Sequence, residues 1–151
     1  MLLINRHSKD SFIQEMSLRK INDITLENST GEYFICLNAT GWKHAVPFFK
    51  SSHPAVINLY FDDVEQDGPK EIQWFNNKTK TIEAKAITVE QAKELKHFIK
   101  DIPDGSTVHV YCAKGLSRSA AVEAYISETR NNLTLDLPGM NPRVYKLLKE
   151  V

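Results

Sequence analysis

Cysteine is scarce in this chain: Cys36 and Cys112 are the only two among 151 residues. Two thiols cannot build a disulfide framework, and a reducing compartment keeps both free. No apolar run approaches the roughly 20 residues a membrane span needs. The opening Met1-Leu2-Leu3-Ile4-Asn5-Arg6 has too short an apolar run for a secretory leader and no small-residue cleavage site. A cytoplasmic protein with no membrane partner is therefore expected. An excess of either charge is also missing, since nineteen Lys and Arg stand against nineteen Asp and Glu. That balance argues against a nucleic-acid partner. The local run of Lys78, Lys80, Lys85, Lys93, Lys96 and Lys100 reads as a solvated face and loop. Paired Cys/His spacing is absent as well. His7, His44, His53, His97 and His109 are scattered, so neither a metal site nor a cofactor is expected. There is no internal repeat, low-complexity tract or linker, and the length fits one domain spanning 1–151.

What the chain does have is a series of short apolar runs separated by helical patterns. Leu2-Leu3-Ile4 reads as a short strand, followed by a helix from Lys9 that Ser8 can cap and that runs through Phe12, Ile13 and Met16. Tyr33–Leu37 and Ala55–Phe61 are continuous apolar runs, as expected of strands buried on both faces. Between Val64 and Ala86, the turn signal Asp67-Gly68-Pro69 and the pair Asn76-Asn77 suggest two short segments forming a hairpin. Thr88-Val89-Glu90-Gln91 fits a capping box, with Ala92, Leu95, Phe98 and Ile99 forming the apolar stripe behind it. Thr107–Tyr111 is a further strand leading into Cys112, and a helix follows over 119–129. A last helix starts near Asn141-Pro142, with proline at its first position. Buried strands alternating with helices predict an α/β fold with a mostly parallel central sheet flanked by helices. Ligands bind such sheets beyond the carboxyl ends of the strands, where Cys112 stands.

The segment from Cys112 to Ser119 carries the chemistry. A strand delivers Cys112 to the sheet edge, five residues turn tightly, and Arg118 begins a helix. The amides of Ala113, Lys114, Gly115, Leu116 and Ser117 can converge on one point as an anion nest. The helix N-terminus adds its partial positive charge there. Gly115 supplies the backbone freedom, and Arg118 a planar fork for two phosphate oxygens. The same field favours the Cys112 thiolate, and the Ser119 hydroxyl can donate to the sulfur. One loop thus offers nucleophile, oxyanion binding and orientation together. Cys36, mid-strand with no cation or turn beside it, reads as inert core.

Strand, Cys112, Gly115, Arg118, Ser119 and helix in this arrangement resemble the protein tyrosine and dual-specificity phosphatases, most densely over residues 107–126. The strand ending in Phe61-Asp62-Asp63 together with the Gly115-Leu116-Ser117-Arg118-Ser119 loop is similar to small phosphatase-like proteins of bacteria and phages. The resemblance implies a compact phosphatase-like fold and two-step hydrolysis of a phosphorylated protein or a small phosphomonoester. In it Cys112 is the nucleophile and a phosphocysteine forms. It also implies an aspartate general acid after the strand over 55–61, leaving Asp62 and Asp63 as candidates, with Asp63 preferred. Asp67 and Glu83 are weaker substitutes. Asp63 stands farther from Cys112 than the family spacing, an excess that fits an insertion over Val64–Ala86. The family usually has His before the cysteine, where this chain has Tyr111; its hydroxyl is expected to substitute in part. Trp74 and Phe75 are expected either to line the cleft or to form a satellite core. Alternative readings are a pseudophosphatase that captures phosphorylated partners, a sulfur-transfer or arsenate-reducing enzyme, and an interaction protein that retains only the fold.

Overall fold

A computed structural model describes residues 1–41, 45–73 and 78–151 of the chain. Four strands form the central sheet: β1 (Leu3–Ser8), β2 (Glu32–Asn38), β3 (Val56–Tyr60) and β6 (Thr107–Cys112). Their order is β1-β6-β2-β3, and every neighbouring pair is parallel. Four helices flank it: α1 (Lys9–Leu18), α2 (Val89–Lys100), α3 (Arg118–Arg130) and α4 (Pro142–Glu150). This is the α/β architecture with a parallel central sheet that the alternation of apolar runs and helical stripes predicts. No helix among the described residues is long and apolar enough to cross a membrane.

Alternation along the strands sends side chains to two separate cores. On one face Phe34 and Cys36 of β2 and Tyr111 of β6 meet Phe12 and Met16 of α1, with Phe49 closing the cluster. On the other, Ile35, Leu37, Val108, Val110 and Cys112 pack against Leu95 and Ile99 of α2, Val122 and Ile126 of α3, and Val144 and Leu148 of α4. Cys112 and Tyr111, adjacent in sequence, therefore belong to opposite faces.

Local signals place the helices as expected. The Ser8 hydroxyl accepts from the Ser11 amide at 3.2 Å and starts α1. Thr88 and Gln91 form the reciprocal capping box of α2. The Asn141 side chain accepts from the Arg143 and Val144 amides, and Pro142 opens α4. The first strand is longer than its apolar run, since β1 pairs with β6 from Leu3 through Ser8. As an edge strand it is only half-buried over Asn5-Arg6-His7, so polar residues belong in it.

The segment between β3 and α2 does form a hairpin: β4 (Gly68–Gln73) and β5 (Thr79–Ala84) pair antiparallel. Asn76 and Asn77 lie outside the described residues, as do Trp74 and Phe75.

Candidate active site

Cys112 is the last residue of β6 and Arg118 the first of α3, so the five residues between them must reverse direction at the carboxyl edge of the sheet. Gly115 makes this possible. Its φ of +72° lies in the left-handed region, and a Cβ there would stand 2.6 Å from the Ser8 nitrogen and 2.7 Å from the His7 carbonyl carbon. Both are backbone atoms, so any side chain would force the loop off β1. The Ala113 carbonyl accepts from the Lys9 amide at 3.3 Å, and the Ser117 carbonyl accepts from the Ala121 and Asn141 amides at 3.1 Å each. Across a trans peptide the C=O and the following N–H point in opposite directions. The Lys114 and Arg118 amides therefore face away from these partners. Leu116, more than half exposed, forms the outer lip of the turn.

At the floor, the Cys112 sulfur lies 3.1 Å from the Ser119 hydroxyl. Burial alone would raise the thiol pKa. It is outweighed by the Ser119 hydroxyl and amide, the Arg118 charge and the Ser117 amide, which together bring Cys112 below an ordinary thiol. Cys36 shows the contrary balance. Buried within β2, it is pushed up to about 12 by desolvation.

Arg118 is 5% exposed. Its Nη1 donates to the Phe61 carbonyl at 2.7 Å, while its Nε is buried with no hydrogen-bond partner among the described residues. A guanidinium N–H left unpaired in the interior costs free energy unless something acidic takes it. The N-terminus of α3 is open in the same way. Ser117 occupies the N-cap position, yet its side chain makes no capping bond.

That hydroxyl goes elsewhere, donating to Asp63 Oδ1 at 2.7 Å. Asn141 Nδ2 donates to the same oxygen at 2.9 Å. Asp63 thus stands against the loop despite its long separation from Cys112 in sequence. The hairpin explains how. The Asp62 amide donates to the Lys85 carbonyl at 2.6 Å, the Ala86 amide to Asp67 at 2.8 Å and the Lys70 ammonium to the Asp63 carbonyl at 3.2 Å. The inserted strands leave and return at one point, so their length adds little distance between β3 and the loop.

The two candidate aspartates differ sharply. Asp62 is buried and accepts from the Thr40 amide and hydroxyl at 3.1 and 2.6 Å and from the Lys85 amide at 2.8 Å. Burial opposes ionisation there, but these donors and the nearby Arg118 charge win and hold its carboxyl below the usual range. Such a group braces the base of the hairpin. Asp67 is likewise spent on the Ala86 amide, and Glu83 pairs with Pro69 in β5, exposed.

Tyr111 departs from expectation. Its hydroxyl donates to Asn38 Oδ1 at 2.7 Å and accepts from the Phe48 amide at 3.4 Å, on the sheet face opposite Cys112. It is committed to the α1 core, so the partial substitution expected of it in ordering the loop is not what its described bonds do. His109 shares that face, as two-residue spacing requires. There it meets a residue that sequence separation hid: His7 Nε2 and His109 Nδ1 are 3.0 Å apart, with Glu15 close to both. Desolvation first, then His109, holds His7 below the ordinary imidazole value against the opposing effect of Glu15. Two of the five scattered histidines, His7 and His109, therefore do come together, a correction that only strand register could supply, since the parallel pairing of β1 with β6 places Asn5 opposite His109 and His7 opposite Tyr111.

Sequence reasoning also missed the residues that aim the loop: the Phe61 carbonyl, Thr40, and Asn141, whose Oδ1 caps α4 while its Nδ2 holds Asp63. The Asn-Pro helix start was the visible signal for Asn141. A cavity of about 480 Å³ lies at the other end of the sheet, between Tyr33, Val56, Glu94 and Phe98, and takes no part in this site. No protein-family model, curated protein or solved structure matches the chain, so the chemistry of the site follows from these residues alone.

Proposed function

We propose that the chain is a phosphatase-like domain of the compact dual-specificity type that hydrolyses phosphomonoesters through a phosphocysteine. The observation that carries this reading is the buried, unpartnered Arg118 Nε beside a thiol held below its ordinary pKa at an uncapped helix start. A dianionic phosphoryl group supplies what each lacks: an acceptor for the guanidinium, a cap for α3 and an electrophile for the sulfur.

In the first step the Cys112 thiolate forms the S–P bond as the ester P–O bond breaks. The leaving oxygen takes a proton from Asp63. With Oδ1 accepting from Ser117 and Asn141, the acidic proton belongs on Oδ2. In the second step water attacks phosphorus, Asp63 takes its proton, and the S–P bond breaks to return the thiolate and phosphate. The Ser119 hydroxyl steadies the sulfur as it leaves, and Arg118 with the loop amides of residues 113–118 holds the equatorial oxygens throughout.

The test is hydrolysis of an aryl phosphate across pH by the wild type, Cys112→Ser, Asp62→Ala and Asp63→Ala. Turnover abolished in Cys112→Ser with phosphate binding retained, and the acid-dependent limb lost in Asp63→Ala, is the expected result. Turnover that survives in Cys112→Ser would overturn the mechanism. A second reading, capture of phosphorylated partners without turnover, is favoured by Tyr111 being committed to Asn38. A wild type that binds phosphate analogues but releases no phosphate would select it.

A further inference from the structure

The mechanism leaves one group of titratable side chains unused, on the opposite face of the sheet. His7 Nε2 and His109 Nδ1 are 3.0 Å apart, and Glu15 Oε2 lies 3.8 Å from each. At 3.8 Å the carboxylate oxygen is too far to accept from either ring, and it is buried with no hydrogen-bond partner among the described residues. A point equidistant from these three atoms lies about 2.1 Å from each, the Zn–N and Zn–O distance.

The surroundings suit a cation. His109 Nε2 lies 2.8 Å from Glu32 Oε1, the outer carboxylate that fixes a ligating histidine's tautomer. Glu32 is itself held by the Arg19 guanidinium, whose Nη1 donates to its Oε1 at 2.8 Å. With Nε2–H donating to Glu32, His109 Nδ1 presents a lone pair, and His7 binds through Nε2 as its Nδ1–H tautomer. The rings are fixed by packing: His109 stacks on Phe34 at 5.1 Å, and Phe12 meets His7 edge-on at 5.5 Å. Glu15, about half exposed, gives the site a solvent-facing side and an entry path.

We infer that His7, Glu15 and His109 form a site for a divalent transition-metal ion of the zinc class, with water at the fourth position. The ion ties β1, α1 and β6 together at the edge of the sheet. It replaces a hydrogen bond between two imidazoles and satisfies the orphaned Glu15 oxygen.

The experiment uses the Cys112→Ser chain, because the active-site thiolate is itself a strong zinc ligand. After chelator treatment, Zn²⁺ is titrated in competition with a chromophoric chelator, Co²⁺ is followed by its visible absorption, and thermal unfolding is recorded with and without zinc. One equivalent of metal is expected, with a raised unfolding midpoint and Co²⁺ bands of tetrahedral strength. Glu15→Gln and His7→Ala weaken binding at least about tenfold, Glu32→Gln about ten- to a hundredfold, and the exposed His97→Ala leaves it unchanged. Glu15→Gln is isosteric at a half-exposed position, so it decides the matter even if His7→Ala does not fold. Absence of stoichiometric binding, or binding equally tight in Glu15→Gln, overturns the assignment and leaves the two imidazoles sharing a proton.

Discussion

The Ser117 hydroxyl donates to Asp63 Oδ1 at 2.7 Å, so the residue at the N-cap of α3 spends its side chain on a carboxylate instead of on its helix. N-cap serines ordinarily stabilise the helix they begin by about 1 kcal/mol. Here that contribution is diverted to positioning. Ser117→Ala is expected to cost little stability, within about 1 kcal/mol in urea unfolding. It should lower kcat for alkyl phosphates about tenfold while sparing aryl phosphates with good leaving groups, because only the former need a well-placed acid. Equal losses on both classes would remove the positioning role.

The thiol environment gives a second prediction. Under native conditions a small alkylating reagent should modify Cys112 and leave Cys36 untouched, since burial pushes Cys36 up to about 12. The rate should follow a titration below the ordinary thiol value. Ser119→Ala removes the hydroxyl 3.1 Å from the sulfur, a donor to the thiolate, and should move that titration to higher pH. A rate–pH profile unmoved by Ser119→Ala would refute that account of the thiolate.

Asp62 is expected to act on stability. Its folded pKa lies below its unfolded value, so its contribution is complete above the ordinary carboxylate pKa and is lost as pH falls through the lowered one. Asp62→Asn should therefore cost about 2–4 kcal/mol at neutral pH, through donors left facing an amide. The gap from wild type should shrink on acidification below about pH 4. Urea unfolding at a series of pH values measures it. A gap that widens on acidification would reverse the assigned sign.

Tyr111→Phe tests whether the residue before the nucleophile tunes it. The substitution strips Asn38 of a donor at 2.7 Å and should destabilise by about 1–3 kcal/mol. The Cys112 alkylation profile should stay where it was. A shift of that profile would show that the α1-facing core is coupled to the thiolate after all.

Most of the scaffold was legible because its signals are local. Ser8, the Thr88–Gln91 box and Asn141-Pro142 announce helix starts, and the apolar runs of β2 and β6 announce buried strands. The 55–61 run, expected to be buried on both faces, instead forms the edge strand β3, where only Ile57 and Leu59 are buried and Tyr60 is exposed. The turn between β6 and α3, Cys112 to Arg118, was legible for the same reason, being one contiguous segment. What sequence could not convey is everything made across the sheet or between distant segments. Asp62 and Asp63 are neighbours of one type, and only the partners that surround them, Thr40 and Lys85 for one, Ser117 and Asn141 for the other, separate a brace from a candidate acid. The His7–His109 pair depends on parallel register between the neighbouring strands β1 and β6, which stand far apart along the chain, and no spacing rule encodes it.

Gly115 touches the backbone of His7 and Ser8 so closely that no side chain can intervene. One wall of the Cys112–Arg118 turn is thus cast by β1. A fragment starting after α1 would keep every letter of the Cys112–Ser119 motif and yet lose the mould in which those letters take their shape. The shape of the turn is accordingly a property of the assembled sheet, and the eight-residue segment is only its most readable part.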